Sequence, residues 1–501
     1  MAKVSINLVT YNGEKYISPC LSSVLKQTFK DFQLIIIENG SSDGTKVEIE
    51  KWKEVFTDAG IGVKVIYNEE NAGFAEGHNQ GFKCPAKSAG RQISSADSAD
   101  QKNPIRQLAD QMSRQYGGQA NGQKEQFGST ALRDYGATYT KYILCLNQDI
   151  VMEPDYLERI VKFMDAHKEV GSVNGKLMRM TSVEFPTTIE NKNLSISAPL
   201  YEGGQGDDKS ERIPLSPFNK GGTNIDYFVL KQECKIIDSV GLKIFKSNRV
   251  IEIGQGEQDN GQYDEVKEVF GVSGALPLYR KDALEDVRIS QNVCRGSRSS
   301  RFGQSEADVK HGMTQTPPTS PRQYGGQAYP PPIRRAGILG QEGGVNFNPS
   351  SGRRGVDQYE YFDTDFVSYK EDVDLAYRMR WRGWKSYVIP QAIAYHERGA
   401  KQVAGGKNDL TVAVNRKNKS KYANYYSQRN QILMLIKNLP ELNFATFWYE
   451  FKKFGYEMIF EWSTFKAWID VFKKIKVMKV KRQWIMENRK VEWKEISKWM
   501  G

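Results

Sequence analysis

The chain has 501 residues, 26% of them charged and 39% hydrophobic, with a formal net charge of +11. That length supports a large core and more than one unit, while no uncharged apolar run is long enough to span a bilayer. Five scattered cysteines with no C-x-x-C pair argue against a zinc site or a disulfide framework and fit a reducing cytoplasm, and no signal peptide precedes the first apolar run.

In chain order, Val4 to Val9 reads as a buried strand, Thr10 to Gly13 as a polar turn, and a helix follows. Phe32 to Ile37 is a second buried strand that runs into the loop ENGSSDGT. Strand, helix, strand in so short a span predicts a crossover and a parallel sheet. In such sheets ligands sit beyond the carboxyl ends of the strands, where Thr10, Tyr11, Asn12, Glu38, Asn39 and Asp43 fall. Next come NEENAGFAEGHNQGF from Asn68 to Phe82, and an apolar strand from Tyr142 that ends in Asn147, Gln148 and Asp149 before another helix. The segment Glu268 to Leu284 reads as a short strand with Gly271 and Gly274 before a helix, its glycines serving either a tight turn or close approach of a ligand. In YKEDVDLAYRMRWRGW, Leu375, Ala376 and Met379 recur at helical spacing behind Glu371 and Asp372, with Gly383 as the stop. Acids at a helix N-terminus either complement the macrodipole or carry chemistry.

Together these segments resemble the family 2 glycosyltransferases, most closely their rhamnosyltransferase-like branch. The likeness rests on the T-Y-N turn at Thr10 to Asn12, Glu38 with Asn39, Ser41 and Asp43, N-x-G-F at Asn71 to Phe74, L-N-x-D at Leu146 to Asp149, E-D-x-D-L at Glu371 to Leu375, and Tyr395-His396. It implies an α/β fold of the GT-A type with a mainly parallel central sheet. It also implies an inverting transfer of a sugar from a nucleotide-diphosphate donor, dTDP-rhamnose or a UDP-sugar, to a lipid-linked or growing glycan. By resemblance the donor is held by Thr10, Tyr11, Asn12, Glu38, Asn39, Asp43, Asn71, Gly73 and Asn147. Ser273, Gly274 and Ala275 line the acceptor side, Asp372 is the base, and Glu371 holds the acceptor or orients the loop. Glu38 stands where the family has Asp, which keeps the charge and lengthens the arm.

A hard divalent cation, Mg or Mn, would neutralise the departing diphosphate, with Asp149 and His396 as its ligands. One carboxylate acting as base in a single displacement inverts the anomeric centre, whereas retention by double displacement needs a second, nucleophilic one. Asp374 is expected to cap its helix, and Arg429 to be either a surface residue or a diphosphate contact.

A catalytic domain is expected over residues 1–435, interrupted by disordered insertions at 85–136 and 289–356 that both contain RQYGGQA. The segment 436–501 holds six of the nine tryptophans among lysine clusters such as Lys473, Lys474, Lys476, Lys479 and Lys481. It reads either as helices on the cytoplasmic face of a membrane, lysines toward anionic lipid, or as an extension packed on the catalytic domain or a second subunit. The positive charge brings no recognised nucleic-acid module with it. Two alternatives stay open: a transferase for a soluble or protein acceptor, and a catalytically silent membrane-associated scaffold.

Overall fold

The computed structural model describes residues 2–83, 140–180, 235–290, 359–397, 416 and 419–500. The expected insertion at 85–136, and all of the one at 289–356 beyond its first two residues, lie outside the described residues.

The N-terminal part alternates as the apolar runs require: β1 (Val4–Thr10), α1 (Glu14–Leu25), β2 (Phe32–Glu38), α2 (Thr45–Asp58), β3 (Val63–Tyr67) and α3 (Gly73–Phe82). After the first gap come β4 (Tyr142–Asn147), β5 (Ile150–Met152), α4 (Tyr156–Ala166) and β6 (Val170–Arg179). Shorter strands follow, namely β7 (Ile237–Ser239), β8 (Leu242–Ile244), β9 (Val250–Glu252), β10 (Lys267–Val269) and β11 (Leu278–Arg280), then α5 (Lys281–Val287). The last part holds α6 (Glu371–Trp381), β12 (Lys385–His396), α7 (Lys421–Asn438), α8 (Phe444–Phe460), α9 (Trp462–Glu487) and α10 (Trp493–Ser497).

Ten strands form one sheet along β10-β12-β6-β11-β4-β1-β2-β3, with β5 added on β12 and β7 on β6. The long pairings, β1 with β2 and β4, β2 with β3, and β6 with β12, are parallel; the antiparallel ones span only two or three residues. This is the expected α/β architecture with a mainly parallel sheet. The order β3-β2-β1-β4 reverses direction at β1, so a crevice opens beyond the carboxyl ends of β1 and β4.

One face of the sheet packs Ile17, Leu21, Trp52, Phe56, Leu157 and Ile160 from α1, α2 and α4. The other packs Phe82, Leu284, Leu375 and Met379 from α3, α5 and α6. A further core joins α6, through Val373, Tyr377 and Trp381, to Leu433 and Leu435 of α7 and to Val471, Met478 and Ile485 of α9.

That last core bears on both open readings of the C-terminal lysines and tryptophans. Lys481 is 2% exposed and binds Glu360 and Asp363, each at 2.6 Å, and Lys474 pairs with Asp365. These lysines sit over acids of the 360–365 loop, where removing their hydration is offset by direct pairing, so they do not face lipid. Trp468, Trp484, Trp493 and Trp499 pack on the same core, and Trp493 stacks on Trp381 with ring centres 5.8 Å apart. α8 differs: Phe444, Phe447, Trp448, Phe451, Ile459 and Phe460 are all exposed, Phe444 by 78%.

Candidate active site

The crevice is built at the switch in strand order. Parallel register aligns Thr10 with Glu38, and Val9 with Asn147, so the turn after β1 lies between the ends of β2 and β4. Gln148, which follows β4, ties the turn down: its Oε1 accepts from Thr10 Oγ1 at 2.6 Å and from the Tyr11 amide at 3.0 Å, and its Nε2 donates to the Tyr11 carbonyl at 3.2 Å. Asn12 takes a left-handed φ of 47°, its amide donating to Ser41 Oγ at 2.9 Å. Asparagine is among the few side chains that tolerate this conformation, which accounts for its place in the turn.

Glu38 is fully buried. Its Oε1 accepts from the Ser41 amide at 2.6 Å, while Oε2 accepts no hydrogen bond and lies 3.7 Å from Lys46 Nζ. One oxygen of the longer Glu side chain thus ties down the loop after β2, and the other is paired with the Lys46 ammonium.

Other expected donor contacts are occupied within the protein. Asn39 donates to Asn71 Oδ1 (3.0 Å) and the Gly73 carbonyl (3.2 Å), and accepts from Asn68 (2.9 Å) and the Ala72 amide (3.1 Å). With both its polar atoms engaged, Asn39 shapes the loop instead of presenting a side chain to the crevice. Asp43 accepts from the amides of Glu14 and Thr45, each at 3.1 Å, at the starts of α1 and α2. Against burial, the Thr45 hydroxyl, which also donates to it, and these amides hold its carboxyl below the usual range. Helix capping accounts for Asp43.

Beyond β4, Asp149 and His396 meet: His396 Nε2 lies 3.4 Å from Asp149 Oδ2. The contact follows from β5 pairing antiparallel with the end of β12, His396 opposite Ile150. A third residue not singled out from the sequence completes the group, since Asp238 Oδ2 is 2.8 Å from His396 Nδ1. Burial alone would lower the imidazole pKa, but Asp149 and Asp238 raise it to about 9. Asp238 fixes the ring and directs Nε2 toward Asp149, an arrangement that also suits an imidazole ligand of a metal. Among the described residues no group of three or more His, Cys, Asp or Glu is placed to share one ion.

The paired acids lie at the start of α6, behind a strained approach. Val367, Tyr369 and Lys370 have φ of 65°, 71° and 71°. Such conformations cost on the order of 1–3 kcal/mol each for side-chain-bearing residues, and they persist where surrounding contacts impose them. Asp372 Oδ2 accepts from the Gly274 amide at 3.1 Å and Oδ1 from the Val373 amide at 2.8 Å. A Cβ on Gly274 would stand 3.2 Å from that of Asp372, so glycine permits the approach. Burial raises the Asp372 carboxyl despite Lys370 and these amides. Glu371 is buried, with no hydrogen-bond partner for Oε2, and burial together with Asp372 raises its pKa to about 8. At neutral pH the pair therefore retains a proton.

A short backbone path links this pair to the donor side. Next to Gly274, the Ala275 carbonyl accepts from the Asn147 amide at 3.2 Å, two residues before Asp149. Ser273 does not face the acceptor with a free hydroxyl, because its Oγ donates to Glu252 at 3.1 Å.

Two expectations are corrected outright. Asp374 is fully buried and binds Arg378 at 2.9 Å, Lys437 at 2.9 Å and Asn438 at 2.8 Å, which anchors α6 to α7 and leaves the helix N-terminus uncapped by it. Arg429 is only 5% exposed and donates to the Asp365 carbonyl at 2.8 Å, so it is neither a surface residue nor a diphosphate contact.

Residues 5–118 match the family described as Glycosyl transferase family 2. A glucosyltransferase of Escherichia coli, WfgD, whose name gives UDP-Glc as donor and α-D-GlcNAc-diphosphoundecaprenol as acceptor, is 37% identical over 97 residues, 19% of this chain and 35% of that protein. A teichoic acid poly(glycerol phosphate) polymerase of Staphylococcus epidermidis is 37% identical over 79 residues, 16% of this chain and 10% of its own. An uncharacterized glycosyltransferase of Haemophilus influenzae is 33% identical over 81 residues, 16% and 24% of the two chains. The chain thus spans about a third or less of the curated relatives it matches. Among solved structures, S. aureus TarS 1-349 aligns over 97% of this chain and 90% of its own at 11% identity, with a TM-score of 0.38.

Proposed function

We propose that this protein is an inverting glycosyltransferase that moves a sugar from a nucleotide-diphosphate donor to a lipid-linked or growing cell-surface glycan. One observation carries the reading: a family 2 crevice at β1 and β4 is joined, through Asn147, Ala275 and Gly274, to a carboxylate pair that holds a proton at neutral pH. In this reading Thr10, Tyr11 and Asn12 shape the donor turn, and Glu38 Oε2 receives a donor of the nucleotide base or ribose. Asp372 takes the proton from the acceptor hydroxyl. Glu371, kept protonated beside it, donates a hydrogen bond to the acceptor or to the base itself. A single base at this position favours inversion.

Asp149 and His396 would hold a divalent cation, the remaining positions being filled by diphosphate oxygens. Bound there, the ion would neutralise charge on the leaving nucleotide. The residues fit that role, a carboxylate and an oriented imidazole converging on one point. The mixed oxygen and nitrogen set suits Mn better than Mg, which prefers oxygen. The donor is dTDP-rhamnose or a UDP-sugar, the latter being what the name of the E. coli relative states for that protein.

Contact with the membrane would run through α8. Its exposed aromatic face is that of a helix lying in a lipid interface, and among the described residues no helix is long and apolar enough to cross a membrane.

A thermal-shift screen of nucleotide sugars with Mn, Mg or EDTA, followed by turnover assays on the hits, tests the enzyme reading. Stabilisation by one donor class that needs the ion, with inverted product, is expected; stabilisation untouched by EDTA would remove the metal. Co-sedimentation with anionic vesicles tests α8, and Phe447→Ser with Trp448→Ser should release the protein. Equal binding by this variant would end the membrane assignment.

A further inference from the structure

The three left-handed residues before α6 need something to hold them. Within the loop the Ser368 amide donates to the Phe366 carbonyl at 2.7 Å, closing a tight turn at Val367, yet Val367 is β-branched, Tyr369 and Lys370 are bulky, and free chains with these residues favour negative φ. A further restraint comes from α7. Asn430, which is 0% exposed, directs its side-chain amide at three carbonyls of this loop, Phe366 at 2.7 Å, Ser368 at 2.7 Å and Tyr369 at 2.8 Å. Its own Oδ1 accepts from Arg429 Nη1 at 2.8 Å, which settles which end of the amide faces the loop, and the same nitrogen donates to the Asp365 carbonyl at 2.8 Å.

The loop touches both halves of the crevice. At one end Lys370 leads directly into Glu371 and Asp372, and thereby into the bond from Gly274. At the other end the Val367 carbonyl accepts from the Ala75 amide at 3.1 Å, and a Cβ on Gly73 would stand 2.9 Å from that carbonyl oxygen. Gly73 opens α3 in the donor-side N-x-G-F segment. One short strained segment therefore sets the distance between the donor-side turn and the carboxylate pair.

We propose that Asn430 is a positioning residue that locks the 366–370 loop in its left-handed form, placing Asp372 against Gly274 and Val367 against Gly73 in one register. It touches neither substrate, and its effect is transmitted through backbone carbonyls. This rests on the reading of Asp372 as the base, which Asp372→Asn tests separately: if that variant stays active the base assignment fails, whatever Asn430 does.

The test compares Asn430→Ala with wild type by hydrogen exchange, turnover and donor binding. Exchange of amides 366–372 should quicken about tenfold while α7 and the sheet keep their protection. Turnover should fall roughly 30-fold or more, as small misplacements of reacting groups do, with the donor Kd within about threefold. Tyr369→Gly added to Asn430→Ala gives the loop a residue at home at positive φ, and should recover about fivefold in turnover. If Asn430→Ala does not fold, Asn430→Ser, which keeps one donor, should give the same pattern at smaller size. Unchanged exchange in the loop, a loss that appears only in donor affinity, or no recovery in the double variant each overturns the proposal.

Discussion

Asp372 and Asp374 stand two residues apart on one turn of α6, and their surroundings have opposite effects. Asp374 is met by Lys437, Arg378 and Asn438, and although burial disfavours its charge, the lysine and arginine hold its carboxyl below the usual range. Asp372 is met by backbone amides such as those of Gly274 and Val373, and the adjoining acid, Glu371, has an oxygen with no hydrogen-bond partner. The same helix thus favours the ionised form of one carboxylate, which is structural, and leaves a neighbouring pair ready to exchange a proton. Pairing, rather than burial, decides which acid can do chemistry, since all three are largely enclosed.

Removing the structural acid should have the largest effect. Asp374→Ala leaves Arg378 buried with a partner lost and Lys437 with Asp363 alone, and breaking a buried ion pair from one side costs about 3–5 kcal/mol. Chemical denaturation should show that loss, and Lys481→Ala should show one of similar size because Glu360 and Asp363 are left beneath α9. A variant within about 1 kcal/mol of wild type would mean that the pairing is not what holds α6 and α7 together.

Removing the reactive acid should leave the fold intact and the chemistry absent. Asp372→Asn keeps the shape and the bond from Gly274 Nα, yet cannot accept a proton, so turnover should drop on the order of a hundredfold or more. Donor-nucleotide affinity, measured by calorimetry, should change little. Turnover within a few-fold of wild type would make the two acids equivalent after all.

Which of these residues the sequence discloses follows from how local their signals are. The strands β1, β2 and β4, the turn at Thr10 to Asn12 and the helix after Glu371 are legible because each depends on a contiguous pattern of apolar and turn residues. Asp149 and His396 are legible through short motifs, although 247 positions separate them in the chain. Asp238 is not: it lies on a three-residue strand with no pattern of its own and meets His396 only because β7 and β12 flank β6. Gln148 resembles a spacer in L-N-x-D until the parallel register sets it against Thr10. Lys481 sits among lysines that look solvated, and its three acidic partners lie more than 100 residues earlier. Asn39 and Asp43 show the converse, since a motif position identifies a needed residue without saying whether a ligand or the loop itself uses it.

The smallest effect, and the one that most sharpens the contrast, comes from Glu371. Its folded-state pKa of about 8 lies above the ordinary value of 4.5, so between these pH values the folded protein binds a proton that the unfolded chain has lost. Stability must then fall as pH rises through that window, because the unfolded state binds fewer protons there. Glu371→Gln removes the titration while keeping the volume. Near pH 5, where wild type carries a protonated Glu371, the two proteins should be about equally stable. By pH 8.5 the variant should be ahead by about 1–2 kcal/mol, a cautious fraction of what a shift of this size allows. The same substitution should slow turnover less than Asp372→Asn does, since it removes a partner of the base and not the base. Denaturation midpoints of both proteins at intervals from pH 5 to 8.5 decide the matter: a stability difference that stays flat would mean that Glu371 is an ordinary ionised acid, and that the proton held at the mouth of α6 belongs elsewhere.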